Sequence, residues 1–318
     1  MNTLVTGGAG YIGSVVVEQL LQHGQRAVIY DDPGTDPGTN FNSDAPCVSG
    51  ALTDQATLAA AFAQHQIEAV IHLTTAQQTG ATVNNPHASY QHNLVNGLAL
   101  LEAMRQAGVK KLVFASSAAV YGEPAIAPIK EDAPLQPLNP HGESVLAFER
   151  ALRWYEAAHG LRYAVLRCFN VAGAAGTSST AEPAHLIPTV LRVAAGQVTH
   201  VDVFGENYST PDGTCVRDYV HVLDVAEAHV LVLPALEKAS CVYNVGYGNG
   251  YSVAEVVEMA RQVTGRWIST EAAPRRPGDP AVLIASPDKL MLELGWQPRH
   301  SELDVILSSA WQRVVSSQ

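Results

Sequence analysis

Near its start the chain has a short apolar run that leads directly into glycines, Thr3-Leu4-Val5-Thr6-Gly7-Gly8-Ala9-Gly10-Tyr11-Ile12-Gly13, followed by an apolar helical pattern. Gly7 allows a tight turn, Gly10 lets the backbone approach a pyrophosphate, and Gly13 lets the helix pack on the strand. The helix N-terminus then offers unpaired N–H groups to an anion. This strand, turn and helix predict a dinucleotide-binding loop in which Gly7, Gly10, Tyr11, Ile12 and Gly13 contact the cofactor.

Two acidic residues at the end of the next predicted strand indicate which dinucleotide binds. Asp31 and Asp32 follow the glycines by about 20 residues, the separation typical of this motif. A carboxylate here accepts hydrogen bonds from the adenosine ribose hydroxyls and repels a 2′-phosphate. We therefore expect NAD rather than NADP, with Asp31 and Asp32 in the cofactor site.

The rest of the first half alternates short apolar runs with longer helical patterns, which is typical of βαβ units. Strands are predicted at residues 3–6, 26–30, 69–73, 111–115 and 163–167, and helices at 12–23, 57–64, 90–106 and 143–159. The stretch 31–49, with two Pro-Gly steps, is predicted to be a long surface loop. The predicted fold is α/β, with a Rossmann-type doubly wound parallel sheet.

The pattern changes after Phe169, where glycine and alanine cluster at 173–176 and turn-forming residues fill 205–213. This change predicts a smaller, discontinuous C-terminal lobe that binds the substrate. Segments 220–231 and 243–245 are predicted to return to the main sheet. The expected domains are therefore 1–170, with return segments near 215–246, for the cofactor, and 171–214 with 247–318 for the substrate.

The composition excludes several functional classes. The chain has 318 residues, 47% hydrophobic and 15% charged, and a formal net charge of −11. No Lys or Arg cluster is longer than Lys110-Lys111, which argues against nucleic acid or an anionic membrane as partner. With no apolar run of about 18 residues and no leader-like pattern, a soluble cytoplasmic protein is expected.

The cysteines are widely spaced and show neither CxxC pairs nor the density of a disulfide scaffold. We expect free, buried thiols and no metal site. They are Cys47, Cys168, Cys215 and Cys241.

Further motifs appear in a characteristic order along nearly the whole chain. They are residues 6–13 (TGGAGYIG), 116–122 (SSAAVYG), 167–170 (RCFN), 212–222 (DGTCVRDYVHV), 249–252 (NGYS) and 274–279 (PRRPGD). Together they resemble the UDP-glucose (UDP-galactose) 4-epimerases of the extended short-chain dehydrogenase/reductase superfamily. The resemblance implies NAD as cofactor, a UDP-sugar as substrate and a homodimer.

The resemblance also assigns residues to the substrate diphosphate and ribose. Asn170, Arg217 and Arg276 are implied to contact the diphosphate, and Asp279 the uridine ribose. Guanidinium forks and amide donors suit a buried diphosphate. The alternative is that these side chains form ordinary surface ion pairs.

Other positions are implied to line the bound molecules. His185 and Leu186 match a segment beside the sugar and nucleotide, and Leu52 lies in a stretch that contacts the cofactor. Ala51 stands where an acidic residue usually meets the adenine amine. The small side chain of Val282 leaves room for an N-acetylhexosamine, so the substrate can be a UDP-hexose or its N-acetyl form.

The chain departs from the family at its catalytic pair, Tyr-x-x-x-Lys, where it has His141 and Val145. Residues four apart share one helix face, where the lysine lowers the tyrosine pKa. Val145 cannot do this, whereas His141 can serve as a general base because its ordinary pKa of about 6.5 suits proton transfer. Ser117 matches the third catalytic member and can relay the proton. The alternative is that His141 is a helix-start residue with local hydrogen bonds.

Other departures surround the same part of the site. They are Ala51, Thr74, Thr75, Gln77, Leu94 and Cys168. These changes concern the nicotinamide and adenine contacts, while the phosphate loop and the UDP half keep the family pattern. The contrast indicates that nucleotide-sugar binding is retained and that the redox centre is altered.

Three functions fit this pattern. The first is a UDP-hexose 4-epimerase with an unusual base. The second is a redirected enzyme of the same superfamily, such as a dehydratase, decarboxylase or other lyase, and the third is a catalytically silent homologue. Tightly bound, stoichiometric NAD distinguishes the first from the third.

Overall fold

A computed structural model of the chain describes residues 1–32, 44–73, 85–176 and 185–316. The described strands are β1 (Asn2–Thr6), β2 (Arg26–Asp31), β3 (Cys47–Ser49), β4 (Ala69–Leu73), β5 (Lys111–Ser117), β6 (Arg162–Cys168), β7 (Asn170–Ala172), β8 (Val201–Phe204), β9 (Val216–His221), β10 (Cys241–Val245), β11 (Gly250–Ser252), β12 (Thr270–Ala273) and β13 (Val282–Leu283). Seven of them form the main sheet in the order β10-β6-β5-β4-β1-β2-β3, with every neighbouring pair parallel. The predicted doubly wound sheet is thus confirmed.

Helices cover both faces of this sheet. They are α1 (Tyr11–Gln22), α2 (Gln55–His65), α3 (Pro86–Tyr90), α4 (Asn96–Ala107), α5 (Pro140–His159), α6 (Leu186–Ala194), α7 (Val222–Leu231), α8 (Val253–Thr264), α9 (Asp288–Leu294) and α10 (Leu303–Ser316). The apolar sides of α1 and α7 enter one core, and those of α2, α4 and α5 enter the core on the opposite face. None of the helices described is both long and apolar enough to cross a membrane.

The predicted strands and helices of the first half are confirmed within a few residues, apart from two local differences. Residues 47–49, placed in a surface loop by the sequence, form edge strand β3 beside β2. A three-residue strand is too short to show a period of two. The predicted helix 90–106 is interrupted by a π turn at Gln91–Val95.

The second lobe contains two small sheets and a core of its own. β9 is flanked by β11 and β13 and also pairs with β7, while β8 pairs with β12. Helices α6, α8 and α10 pack together over this lobe. The segment predicted at 243–245 does return to the main sheet, as part of β10 beside β6. The segment predicted at 220–231 does not: residues 220–221 end β9, which pairs with β7 in the smaller sheet, and the rest forms α7 on one face of the main sheet.

Helix α5 has clear start and stop signals. The Asn139 side chain accepts a hydrogen bond from Gly142 N, Pro140 occupies the first turn, and Gly160 ends the helix in a left-handed conformation. These signals place His141 in the first turn, where the helix meets the carboxyl ends of the strands.

All four cysteines are free. Cys168 is buried as expected, but Cys47 is exposed, because it lies on the short edge strand β3. Cys215 and Cys241 are half-buried. The expectation of buried thiols is therefore wrong for Cys47.

Candidate active site

A cavity of about 660 Å³ lies at the carboxyl ends of the main-sheet strands. Thr6, Asp31 and Ser117, which are at or near the ends of β1, β2 and β5, line one side. Arg217 and Asp279 of the second lobe line the other side. Doubly wound sheets bind ligands at this edge, where the strand order reverses.

The cavity brings together nearly all the residues selected from the sequence. Those that line it are Gly7, Gly10, Tyr11, Ile12, Gly13, Asp31, Asp32, Leu52, Ser117, His141, Asn170, His185, Leu186, Arg217 and Asp279. Arg276 is outside this lining and stacks over the Phe204 ring, 3.7 Å from its centroid.

The glycine loop forms a cradle that side chains would fill. Gly7 has φ +70°, and a Cβ on Gly13 would lie 2.1 Å from Gly7 O. Gly10 precedes α1 and gives its N-terminus no side-chain cap. Ala9 N donates to Asp31 Oδ2 at 3.0 Å, which ties the loop to the end of β2. This donor-rich, side-chain-free surface fits a dinucleotide pyrophosphate.

Tyr11 joins the same loop to the second half of the site. Its hydroxyl donates to Gly173 O at 2.7 Å, just beyond the strand that begins with Asn170. Burial raises the pKa of the Tyr11 phenol, so the group stays a hydrogen-bond donor. The glycine loop is therefore hydrogen-bonded to the segment that follows Asn170.

His141 lines the cavity and is contacted from another helical segment. Asn93 Nδ2 lies 3.4 Å from His141 Nδ1 and donates to Ser144 Oγ at 2.9 Å. Burial lowers the pKa of His141 to about 4, so the ring is neutral at pH 7. The contact from Asn93 differs from the purely local hydrogen bonds that a helix-start residue would make.

Val145 lies one turn after His141 but belongs to the hydrophobic core. It is fully buried beside Leu146 and Phe148 and is not among the residues that line the cavity. The position that the resemblance assigns to a lysine is thus filled by apolar packing.

Ser117 is available to a ligand. Its Oγ accepts a hydrogen bond from Ala119 N at 3.2 Å, so its own hydrogen can be donated into the cavity. Cys168 lies opposite Ser117 in the β5–β6 register. Burial raises the pKa of the Cys168 thiol to about 12, so it stays protonated and is no nucleophile.

The side of the cavity formed by the second lobe contains a buried cation. Arg217 is 8% exposed, and its guanidinium donates to Asp279, to Val216 O at 2.7 Å and to Pro280 O at 2.6 Å. The ion pair between Arg217 and Asp279 is therefore not a surface pair. Two residues that the resemblance assigns to one substrate contact each other here.

The structure adds site residues that the sequence did not select. His72, His92 and Asn96 line the cavity, and Asn93 contacts His141. His72 Nδ1 bonds Thr6 Oγ1 at 2.7 Å. His92 and Asn93 lie in the π turn and Asn96 follows it at the start of α4. The π turn gives no signal in the apolar periodicity, although such turns are frequent at functional sites.

Of the other departures, Thr74, Thr75 and Gln77 lie outside the described residues. Leu94 packs against the core around α4 and α5. Within the ranges that the structure covers, no three His, Cys, Asp or Glu side chains are grouped to hold a metal ion.

Comparisons with known proteins agree with this geometry. The model of the NAD dependent epimerase/dehydratase family matches residues 3–246. The chain belongs to this family.

Relatives within the family resemble the chain over almost its full length. A UDP-glucose 4-epimerase of Corynebacterium glutamicum is 46% identical over 314 residues, covering 98% of this chain and 95% of that protein. The crystal structure of the Brucella ovis enzyme in complex with NAD has a TM-score of 0.93 at 37% identity, covering 98% of this chain and 97% of its own. The Bifidobacterium longum enzyme in complex with NAD⁺ and UDP has a TM-score of 0.93 at 36% identity, with coverages of 99% and 98%. These matches confirm the predicted fold and the predicted relationship to epimerases.

Gly10→Ala tests the dinucleotide cradle. The added Cβ has one close neighbour, Gly7 O at 3.3 Å, so the variant should fold. Its methyl group occupies the lining where a pyrophosphate approaches the backbone, and we expect dinucleotide affinity to fall at least about tenfold. Calorimetric titration with NAD measures the effect, and the thermal midpoint of unfolding checks the fold. Unchanged affinity would show that the loop is only a structural turn.

Proposed function

We propose that the chain is an isomerase, a UDP-hexose 4-epimerase that uses NAD and works with an atypical acid–base group. The observation that carries this proposal is the single cavity that joins the glycine cradle, Ser117 with His141, and the buried Arg217. The relatives' activity and their complexes with NAD and UDP support the same conclusion.

The glycine loop and Asp31 are the proposed cofactor site. The N-terminus of α1 binds the pyrophosphate, and the Asp31 and Asp32 carboxylates face the adenosine ribose, with Leu52 beside the adenine. A bound NAD would supply reversible hydride transfer at C4 of the sugar.

Ser117 and His141 are the proposed acid–base groups. The Ser117 hydroxyl donates to the sugar O4, and the neutral His141 ring exchanges the O4 proton directly or through Ser117. Burial keeps His141 uncharged at pH 7, as an acceptor of that proton must be. No lysine at position 145 takes part.

The second lobe holds the nucleotide in this proposal. Arg217 binds the diphosphate with Asn170, and Asp279 accepts from the uridine ribose, so substrate entry replaces their mutual ion pair. Arg276 reaches the diphosphate by leaving the Phe204 ring. His185 and Leu186 line the sugar.

The decisive experiment follows interconversion of UDP-glucose and UDP-galactose by wild type and His141→Phe. We expect measurable turnover by wild type, a loss of about 10²- to 10⁴-fold in His141→Phe, and nearly unchanged UDP affinity. The control is His159→Phe, because His159 is exposed at the far end of the same helix and should not matter.

Mass spectrometry of nucleotides released by denaturation separates the alternatives. Bound NAD without epimerisation favours a redirected enzyme of the superfamily. Neither NAD nor turnover, even after soaking with NAD, favours a silent homologue. Equal turnover by wild type and His141→Phe would remove His141 from the mechanism.

Alanine substitutions test the diphosphate contacts. Arg217→Ala and Arg276→Ala should each weaken UDP binding by about 1.5–3 kcal/mol, because each removes charge-assisted hydrogen bonds. Arg275→Ala is the matched control, since Arg275 is held by Asn207 and stacks on Tyr208. Titration calorimetry that finds equal UDP affinity in all variants would reject the assignment.

The proposed assembly is a homodimer formed through the outer faces of α3 to α5. Trp154 on α5 is 75% exposed. Tyr90 at the end of α3 is 40% exposed, and Val95 in the π turn is 45% exposed. Trp154→Glu should convert dimers to monomers, whereas Trp267→Glu, at a 77% exposed position in the second lobe, should not. Light scattering measures the mass, and a monomeric wild type would contradict the proposal. Cytoplasmic localisation stays a prediction.

A further inference from the structure

Asn93 occupies a buried position between the π turn and the start of α5. It is 2% exposed, and its Nδ2 faces two acceptors, Ser144 Oγ at 2.9 Å and His141 Nδ1 at 3.4 Å. Ser144 Oγ in turn donates to His141 O at 2.9 Å, so it is an acceptor toward Asn93. Asn93 Oδ1 has no hydrogen-bond partner among the described residues.

This arrangement restricts the position of the hydrogen on the His141 ring. The amide nitrogen of asparagine only donates, so the ring nitrogen it contacts must present a lone pair. A neutral imidazole carries one hydrogen, and with Nδ1 accepting, that hydrogen is on Nε2. Within the described part of the chain, no side chain or backbone group bonds Nε2, which leaves it to a ligand in the cavity.

We propose that Asn93 is a positioning residue that sets the tautomer of His141, holding the hydrogen on Nε2 so that the ring offers the ligand a hydrogen-bond donor. Asn93 lies within the π turn, which contains one more residue than a regular helical turn. This extra residue helps to direct the Asn93 side chain toward α5. This tautomer is expected in the free protein, without bound substrate.

The consequence for catalysis rests on the proposed function. A neutral ring with hydrogen on Nε2 can polarise a carbonyl oxygen at C4, as a neutral histidine does in other isomerases. Accepting the proton of a hydroxyl at C4 requires a lone pair on Nε2, so the ring must first change to the other tautomer. Asn93 therefore slows proton transfer at O4 in both directions, because the forward and reverse transfers share one transition state.

Nuclear magnetic resonance of the ¹⁵N-labelled histidine rings tests the tautomer directly. His141→Phe identifies the signals of His141. In wild type we expect Nδ1 to be unprotonated and Nε2 protonated. In Asn93→Asp the neighbouring group only accepts, so we expect the hydrogen on Nδ1 instead.

Two further variants allow the test to be made even if Asn93→Asp does not fold. Ser144→Ala removes the other acceptor of the same amide and should leave the tautomer unchanged. Asn93→Leu retains the approximate shape without a donor and should give a mixture of both tautomers. A protonated Nδ1 in wild type, or the wild-type pattern unchanged in both Asn93 variants, would overturn the proposal.

Epimerase activity is measured separately from the tautomer. If the chain is an epimerase, Asn93→Asp should raise turnover relative to Asn93→Leu, because it supplies the tautomer that accepts a proton. The expected tautomers without any epimerase activity would support the role of Asn93 and contradict the proposed function. Epimerase activity in a wild type whose His141 hydrogen is on Nδ1 would support the proposed function and contradict the role of Asn93.

Discussion

The buried ion pair between Arg167 and Glu149 holds the acid–base side of the cavity together. The guanidinium of Arg167 at the end of β6 donates to both carboxylate oxygens of Glu149 on α5, at 3.2 and 2.9 Å. Ser116, beside Ser117 at the end of β5, donates to the same carboxylate. One carboxylate thus fixes two strands and the helix that carries His141, and both proposed acid–base groups take their positions from it.

Such a pair is stable only because its remaining polar atoms are also bonded. Arg167 and Glu149 are 2% and 4% exposed, so each charge has lost most of its hydration. Arg167 Nη1 also donates to Tyr121 OH at 2.9 Å and to Glu131 O at 3.0 Å. Tyr121 in turn donates to Asn244 Oδ1 at 2.7 Å on β10. The network therefore orients three adjacent strands, β5, β6 and β10, against one helix.

The sequence predicted most of the strands and helices because their signals are local, but it did not predict this buried network. The glycine loop and the alternating apolar and helical runs each depend on residues close together in the chain, and both appear in the structure. The helix predicted at 143–159 begins three residues earlier, at Pro140. Strand β3 and the π turn around Asn93 were missed, because three residues show no periodicity and a one-residue slip in a helix leaves its apolar pattern nearly intact. The contact between Asn93 and His141 spans 48 residues, which no local pattern can encode.

The resemblance implies that His141 and Val145 replace a tyrosine and a lysine, and the two replacements are physically compatible. A tyrosine has an ordinary pKa of about 10 and needs a nearby cation to lower it, whereas histidine starts at about 6.5. An ammonium beside His141 would lower its pKa further, although burial alone already brings it to about 4. A histidine at position 141 therefore needs no cation at position 145 to lower its pKa, and Val145 packs in the core instead. The altered pair is chemically consistent with a working site that exchanges protons without a fixed positive charge.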